Sequence, residues 1–368
     1  MSHACEALRL SRRFEMTEHI KRADARKSEP FISVIIPVHN GGEHLGQCLE
    51  ALSAARGDFE TIVVDDCSTD ESADVARLGG ARVFRLESRS GPAAARNRGA
   101  REASGSVLLF VDSDVLVKPS TVARVSAHFQ AKPGLAALFG SYDDAPAATN
   151  FVSQYKNLLH HFVHQQGSRE AGTFWAGCGA IRREIFFRVG GFNDTVYGAP
   201  SIEDIELGYR LRDAGFDIML DRSVQVRHLK RWTLASLLRT DIFRRAAPWS
   251  KLMLERGSIP ADLNLRMRER LSALATVSAL TLLASGFISP SLFSPALLLL
   301  AILFFLNRKL YAFFWRRRGL LFLAGAVPLH LLYYCYSTVV FALCWLFHIF
   351  RRKSARTLRR ERGQGARA

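Results

Sequence analysis

Three acidic clusters and one histidine carry most of the chemistry open to this sequence. Asp112-Ser113-Asp114 follows the apolar run Val107–Val111. Two carboxylates flanking one residue, just past a buried strand, repel each other. A hard divalent cation, Mg2+ or Mn2+, relieves that repulsion and can also neutralise a diphosphate. An isolated Asp-x-Asp is most often a surface turn, but this one has an apolar strand before it and Pro119 after it. Asp65-Asp66-Cys67-Ser68-Thr69-Asp70 closes a second β-branched run. A carboxylate there can accept hydrogen bonds from a base or ribose, while Ser68 or Asp70 can cap the next helix. Glu203-Asp204 opens a segment with Leu207, Leu211 and Ala214 on one helical face, so its acids also suit the first turn of a helix. His228, within Arg227–Trp232, is either a packed residue or a metal ligand.

These residues need elements to hold them. Ser33–Val38, Phe59–Asp65, Ala81–Leu86 and Val107–Val111 read as strands, and Glu43–Ala55, Asp70–Leu78 and Pro92–Ala103 as the helices between them. Repeated βα units predict an α/β fold with a parallel, doubly wound sheet. Ligands of such sheets bind beyond the carboxyl ends of the strands, where the acidic clusters fall. The turn Ile36–Gly42 holds Gly41 and Gly42 but not the GxGxxG of a dinucleotide fold, which argues against a nicotinamide oxidoreductase.

The chain has 368 residues, 48% of them apolar and 23% charged, which excludes a mainly disordered protein. Its formal net charge is +16, unevenly placed: residues 227–270 and 351–368 each carry +7, residues 307–318 carry +5, and residues 1–226 carry −3. The basic stretches flank residues 271–306 and 319–350, which lack any charged side chain. Runs of that length exceed the roughly 20 residues that cross a bilayer, so transmembrane helices are expected across 271–350, near 271–289, 295–315 and 319–350. Basic charge beside apolar runs suits anionic lipid headgroups and argues against a nucleic-acid partner. Thr233–Met253 interleaves apolar residues with Arg239, Arg244 and Arg245, as an interfacial helix or a plain amphipathic one would. Residues 1–30 are polar, without the apolar core of a signal peptide. Six scattered cysteines form no CxxC pair, so neither a zinc site nor a thioredoxin-type motif is indicated.

Order and spacing together resemble the family-2 glycosyltransferases of the GT-A fold, over residues 31–232. Pro37-Val38-His39-Asn40 resembles the family's PxYN opening, with His39 in place of Tyr. Asp65–Asp70 resembles its DDGSTD, with Cys67 in place of Gly. Gly91–Gly99 resembles GxxxARNxG, and Asp112-Ser113-Asp114 the metal motif. Gly177–Arg183, followed by Gly190-Gly191-Phe192, resembles the segment bordering the acceptor pocket, and Glu203-Asp204 the ED motif. His228–Trp232 resembles the QxxRW of membrane polysaccharide synthases, with His in place of Gln. The resemblance implies an inverting transfer with Asp204 as base. It implies a nucleotide-sugar donor, UDP-linked in most members, held by Pro37, Asn40, Asp65, Asp66, Arg96, Asp112 and Arg231. Gly177, Glu203 and Trp232 would border the acceptor, and Asp112, Asp114 and His228 would hold Mg2+ or Mn2+. With membrane segments appended, a lipid or lipid-linked acceptor at the cytoplasmic face of the cell membrane is expected, the chain being multi-pass. The expected organisation is a polar extension (1–30), the GT-A domain with a mostly parallel sheet (31–232), an amphipathic interfacial segment (233–270), a transmembrane region (271–350) and a basic cytoplasmic tail (351–368). The competing readings are a processive polysaccharide synthase and a non-catalytic, membrane-tethered nucleotide-sugar-binding protein.

Overall fold

The computed structural model describes residues 31–258 and 262–365. The polar extension expected at 1–30 lies outside the described residues, as do the side chains of the basic tail beyond Arg351. The chain divides into two compact units, with the division between Trp232 and Thr233.

The first unit is built on one sheet. Strand β1 (Ile32–Val38) leads through helix α1 (Gly42–Ser53) to β2 (Phe59–Asp65), and α2 (Ser72–Leu78) leads to β3 (Arg82–Arg85). Helix α3 (Gly91–Glu102) returns the chain to β4 (Val107–Val111). β1 and β4 are buried at every residue. That is why both read as unbroken apolar runs rather than as alternating ones. β1 pairs in parallel with β2 on one side and with β4 on the other. The chain thus winds outward from β1 to β3 and then crosses back to β4, so the strand order reverses beside β1. The crevice at such a reversal is where open α/β sheets take their ligands, and the segments that follow Val38, Asp65 and Val111 meet there.

Beyond β4 the sheet changes character. β5 (Val115–Val117), α4 (Thr121–Ala131), β6 (Ala137–Tyr142), α5 (Phe151–Gln166), β7 (Glu170–Ala171), β8 (Cys178–Arg182), α6 (Arg183–Arg188), α7 (Glu203–Asp213) and β9 (Ile218–His228) follow in order. β8 runs antiparallel between β4 and β6, and β9 pairs antiparallel with β5 and β7 but parallel with β6. The expectation of a mostly parallel sheet is therefore corrected: the sheet is mixed. The mixed character comes from β8, which enters between β4 and β6 and runs antiparallel to both, and from β9, which is antiparallel to β5 and β7. The mixed half has a use. The pairing of β8 with β4 sets Cys178 opposite Val111, and the pairing of β9 with β5 sets His228 opposite Val115. Gly177 and His228 thereby come to the edge that carries Asp112 and Asp114.

The second unit is helical. α8 (Leu234–Arg239) passes into a π-helical turn (Thr240–Ala246) and then into α9 (Ala247–Arg256). Pro248, which lacks an N–H to offer residue 244, accounts for the widened turn just ahead of it. α10 (Met267–Gly286) packs against α11 (Phe293–Gly365), whose helical path breaks at Gly319, with φ of 83°. Polar groups tie the packed faces: Asn307 Nδ2 donates to Ser272 Oγ at 3.0 Å and Tyr334 Oη donates to Glu269 Oε2 at 2.6 Å. Among the described residues one helix, Pro290–Arg351, is long and apolar enough to cross a membrane by length and composition. The several separate transmembrane helices expected across 271–350 reduce to that one apolar run, which Gly319 divides. α10 falls short because Arg268, Glu269 and Arg270 occupy its first turn. Its uncharged part, 271–286, spans only about 24 Å at 1.5 Å per residue, against about 30 Å of hydrocarbon.

Candidate active site

The second strand ends in a structural cradle. Asp65 is fully buried and accepts from Ser68 N at 2.8 Å through Oδ1, while its Oδ2 has no hydrogen bond and stands 3.5 Å from Arg85 Nε. Asp66 is occupied differently: its two oxygens accept from Ser90 N at 2.6 Å and from Gly91 N at 2.8 Å. It therefore satisfies orphan donors at the start of α3. Directly after them, Cys67 has φ of 59°, where a side chain is disfavoured. Asn40, also at positive φ, bridges the first and second turns: its Oδ1 accepts from Thr69 N at 2.8 Å and its N–H donates to Ser68 Oγ at 3.0 Å. His39 Nδ1 lies 2.8 Å from the Asp66 carbonyl. Pro37 is a buried residue inside β1, opposite Val64.

Arg96 projects from α3 into a buried position between two carboxylates. Its Nη2 donates to Asp112 Oδ1 at 2.6 Å and its Nη1 to Glu203 Oε1 at 3.0 Å. Asp112 and Glu203, far apart in sequence, are thus held by one guanidinium. Burial works against the charge of Arg96, but the two flanking carboxylates more than offset it and hold the guanidinium protonated. The second oxygen of Glu203 accepts from Ser201 N at 2.8 Å. Both Arg96 and Glu203 are engaged inside the protein, where the sequence suggested donor and acceptor contacts.

Asp204 is the next residue along α7. Its Oδ2 accepts from Ala176 N at 3.1 Å and its Oδ1 from Ile205 N at 2.8 Å. Burial first, then the neighbouring charge of Glu203, push its carboxyl up to about 6. α7 can approach the 173–177 segment because Gly208 faces it: a Cβ there would lie 2.3 Å from Phe174 N. Gly177 is needed for a similar reason, since a Cβ would meet the Trp175 ring at 2.5 Å. The Gly177 carbonyl accepts from Asp112 N at 3.3 Å, which ties this segment back to the end of β4.

Asp114 and His228 form the remaining pair, with His228 Nε2 3.4 Å from Asp114 Oδ2. Burial raises the Asp114 carboxyl, but the His228 hydrogen bond and nearby positive charge outweigh it and hold the group below its usual range. Among the described residues no three His, Cys, Asp or Glu side chains gather into a closed cage. Asp112, expected as a third ligand, has one oxygen engaged by Arg96. An open pair of one carboxylate and one imidazole still fits Mg2+ or Mn2+, which bind through one or two protein ligands plus substrate phosphates and water. Trp232 is buried, with its backbone N–H donating to Ser153 Oγ at 2.7 Å, and Lys230 Nζ sits 4.4 Å from its ring centroid. Arg231 is exposed.

The glycosyl transferase family 2 sequence model matches residues 33–190. This front domain belongs to glycosyl transferase family 2. Validoxylamine A glucosyltransferase of Streptomyces hygroscopicus subsp. jinggangensis is 32% identical over 230 residues, covering 52% of this chain and 54% of that protein. Glycosyltransferase GlyG of Streptococcus pneumoniae is 32% identical over 126 residues, covering 33% of this chain and 42% of that protein. The chain spans about half the length of the curated relatives it matches. Among solved structures, the mannosyltransferase PcManGT of Pyrobaculum calidifontis, in complex with GDP-Man and Mn2+, superposes with a TM-score of 0.51 at 17% identity, over 95% of this chain and 97% of that one. That likeness establishes the GT-A fold. Within the family-2 domain, sequence reasoning missed Asn157, Tyr142 and Trp175. None belongs to a short motif: Asn157 on α5 and Tyr142 on β6 contact His228, and the Trp175 ring stands edge-on to Tyr142 from the loop before β8.

Proposed function

We propose that the chain is a metal-dependent, inverting glycosyltransferase that moves a sugar from a nucleoside-diphosphate donor to a lipid or lipid-linked acceptor at the cytoplasmic face of the cell membrane. The observation that carries this reading is one connected cluster on a family-2 domain. Arg96 joins Asp112 to Glu203 beside Asp204, and Asp114, two residues from Asp112, pairs with His228.

Breaking the bond from the anomeric carbon to the diphosphate puts negative charge on the departing oxygen. A divalent cation held by Asp114 and His228 would neutralise that charge. Asp204 takes the proton of the acceptor hydroxyl as its oxygen attacks the anomeric carbon from the face opposite the diphosphate, so configuration inverts. A carboxyl near 6 is largely ionised at neutral pH yet basic enough for this task. Arg231 supplies positive charge toward the leaving diphosphate. The Asp65 carboxylate, whose second oxygen makes no hydrogen bond within the chain, and Asn40 hold the nucleoside. The apolar helix Pro290–Arg351, which is mostly exposed, and the basic stretches around it support a membrane anchor and hence a lipid-borne acceptor.

The test uses the full chain in detergent with Mn2+ or Mg2+, a panel of nucleotide sugars beginning with UDP-linked ones, and a lipid extract as acceptor. Release of free nucleotide together with label in the organic phase is expected, abolished by EDTA. Turnover that persists in EDTA overturns the metal assignment, and label confined to water-soluble product overturns the lipid acceptor.

A further inference from the structure

His228 is anchored on three sides, two of them by residues that no motif contains. Its Nδ1 lies 2.8 Å from Asn157 Oδ1, its ring stacks on that of Tyr142 with centroids 4.4 Å apart and planes 14° apart, and its Nε2 faces Asp114. Asn157 and His228 are both buried, so neither can exchange its partner for water. The orientation of the Asn157 amide follows from its other contact. Asn157 Nδ2 donates to the Ser153 carbonyl at 3.0 Å, one turn back along α5. Flipping the amide would set Oδ1 against that carbonyl, two acceptors face to face, so Oδ1 must point at the imidazole. An acceptor opposite Nδ1 requires a proton on Nδ1. In the neutral ring Nε2 then carries the lone pair on the side of Asp114, 3.4 Å from its Oδ2, two acceptors face to face that a cation between them would satisfy and that a proton on Nε2 satisfies without one.

We infer that Asn157 is a positioning residue: it fixes His228 as the Nδ1–H tautomer and so presents the Nε2 lone pair, beside Asp114, to a divalent cation. The inference rests on the metal-dependent reading above, but its tautomer half does not require a metal. Outer partners that orient a ligating imidazole in this way are commonly worth 10–100-fold in metal affinity. Tyr142 restrains the tilt of the ring and leaves the choice of protonated nitrogen to Asn157.

Two measurements on the full chain test it. In the metal-free protein with 15N-labelled histidine, the His228 signals are assigned by their loss in His228→Gln. They should report a proton on Nδ1 in the wild type and in Asn157→Asp, which keeps an acceptor, and a mixture in Asn157→Leu. An unprotonated Nδ1 in the wild type overturns the inference without any variant having to fold. Free Mn2+, counted by electron paramagnetic resonance, gives the metal affinity. Asn157→Leu should weaken it about 10–100-fold, Asn157→Asp should stay within about three-fold of wild type, and Asn157→Leu should cost nothing further in a His228→Gln background. An equal loss in that background means that Asn157 acts on the fold rather than on His228, and overturns the inference. If the wild type binds no Mn2+, the metal-dependent reading falls, while the tautomer result still upholds or overturns the positioning.

Discussion

The acid side of the pH profile tests the base assignment most directly. Asp204 carries a carboxyl near 6, about two pH units above an ordinary aspartate, with burial the larger cause and Glu203 the next. The base must be ionised to accept a proton, so kcat/KM should fall below pH 6 with a midpoint near that value. The sign for Glu203→Gln follows from its charge. Removing a negative neighbour favours the ionised form of Asp204, and it also leaves Arg96 less neutralised, which acts in the same direction. Because burial outranks Glu203, the limb should move down by about half to one pH unit rather than by the whole two. With a midpoint moved from about 6 to about 5.3, the ionised fraction at pH 5 rises from about one in eleven to about one in three. Relative to its own plateau, the variant should therefore be about three- to four-fold more active at pH 5. The assay is nucleotide release from pH 4.5 to 8, normalised to folded protein, because Gln cannot accept from both Arg96 and Ser201 and will cost about 1–3 kcal/mol of stability. An acid limb that stays in place or moves upward in Glu203→Gln refutes the account. So does an Asp204→Asn variant that keeps more than about a tenth of wild-type turnover, since a general base is typically worth at least about 100-fold.

Other expectations concern the cradle, the buried arginine and the cation. Cys67→Gly should stabilise the protein by up to about 1 kcal/mol in chemical denaturation, because φ of 59° strains a side chain that Gly lacks. Arg96→Lys keeps the charge but cannot bridge Asp112 and Glu203 at once; kcat should fall at least about ten-fold, with donor affinity measured by calorimetry changing far less. Asp114→Asn should lose Mn2+ binding and turnover together while retaining the far-ultraviolet circular dichroism of the wild type, and retention of Mn2+ affinity would remove Asp114 from the cation site.

What could be read from sequence follows from what is local. Phe59–Asp65 and Val107–Val111 are strands with the boundaries their composition suggests, because an apolar β-branched run closed by Asp records both burial and its end. The mixed half of the sheet was not legible, since strand direction beyond β4 depends on which distant partner each strand meets. The same divide runs through the site. Asp112-Ser113-Asp114 and Glu203-Asp204 announce themselves as clusters of like charge. Arg96, a single arginine in an alanine-rich helix, gives no local sign that it will be buried between two of them; only the return of α7 to the end of β4 makes it the link. Asn157 is harder still, as one amide among the histidines and aromatics of α5, and its role rests on which atom of the amide faces His228. Charge can be counted along a chain, but the direction of a hydrogen bond is set by tertiary packing. Acidic motifs therefore point to the kind of chemistry, and the neutral residues that orient them emerge from coordinates. On that argument, substitutions at Arg96 and Asn157 should perturb rate and metal binding more than a substitution at an exposed position inside the recognised motifs, such as Thr69.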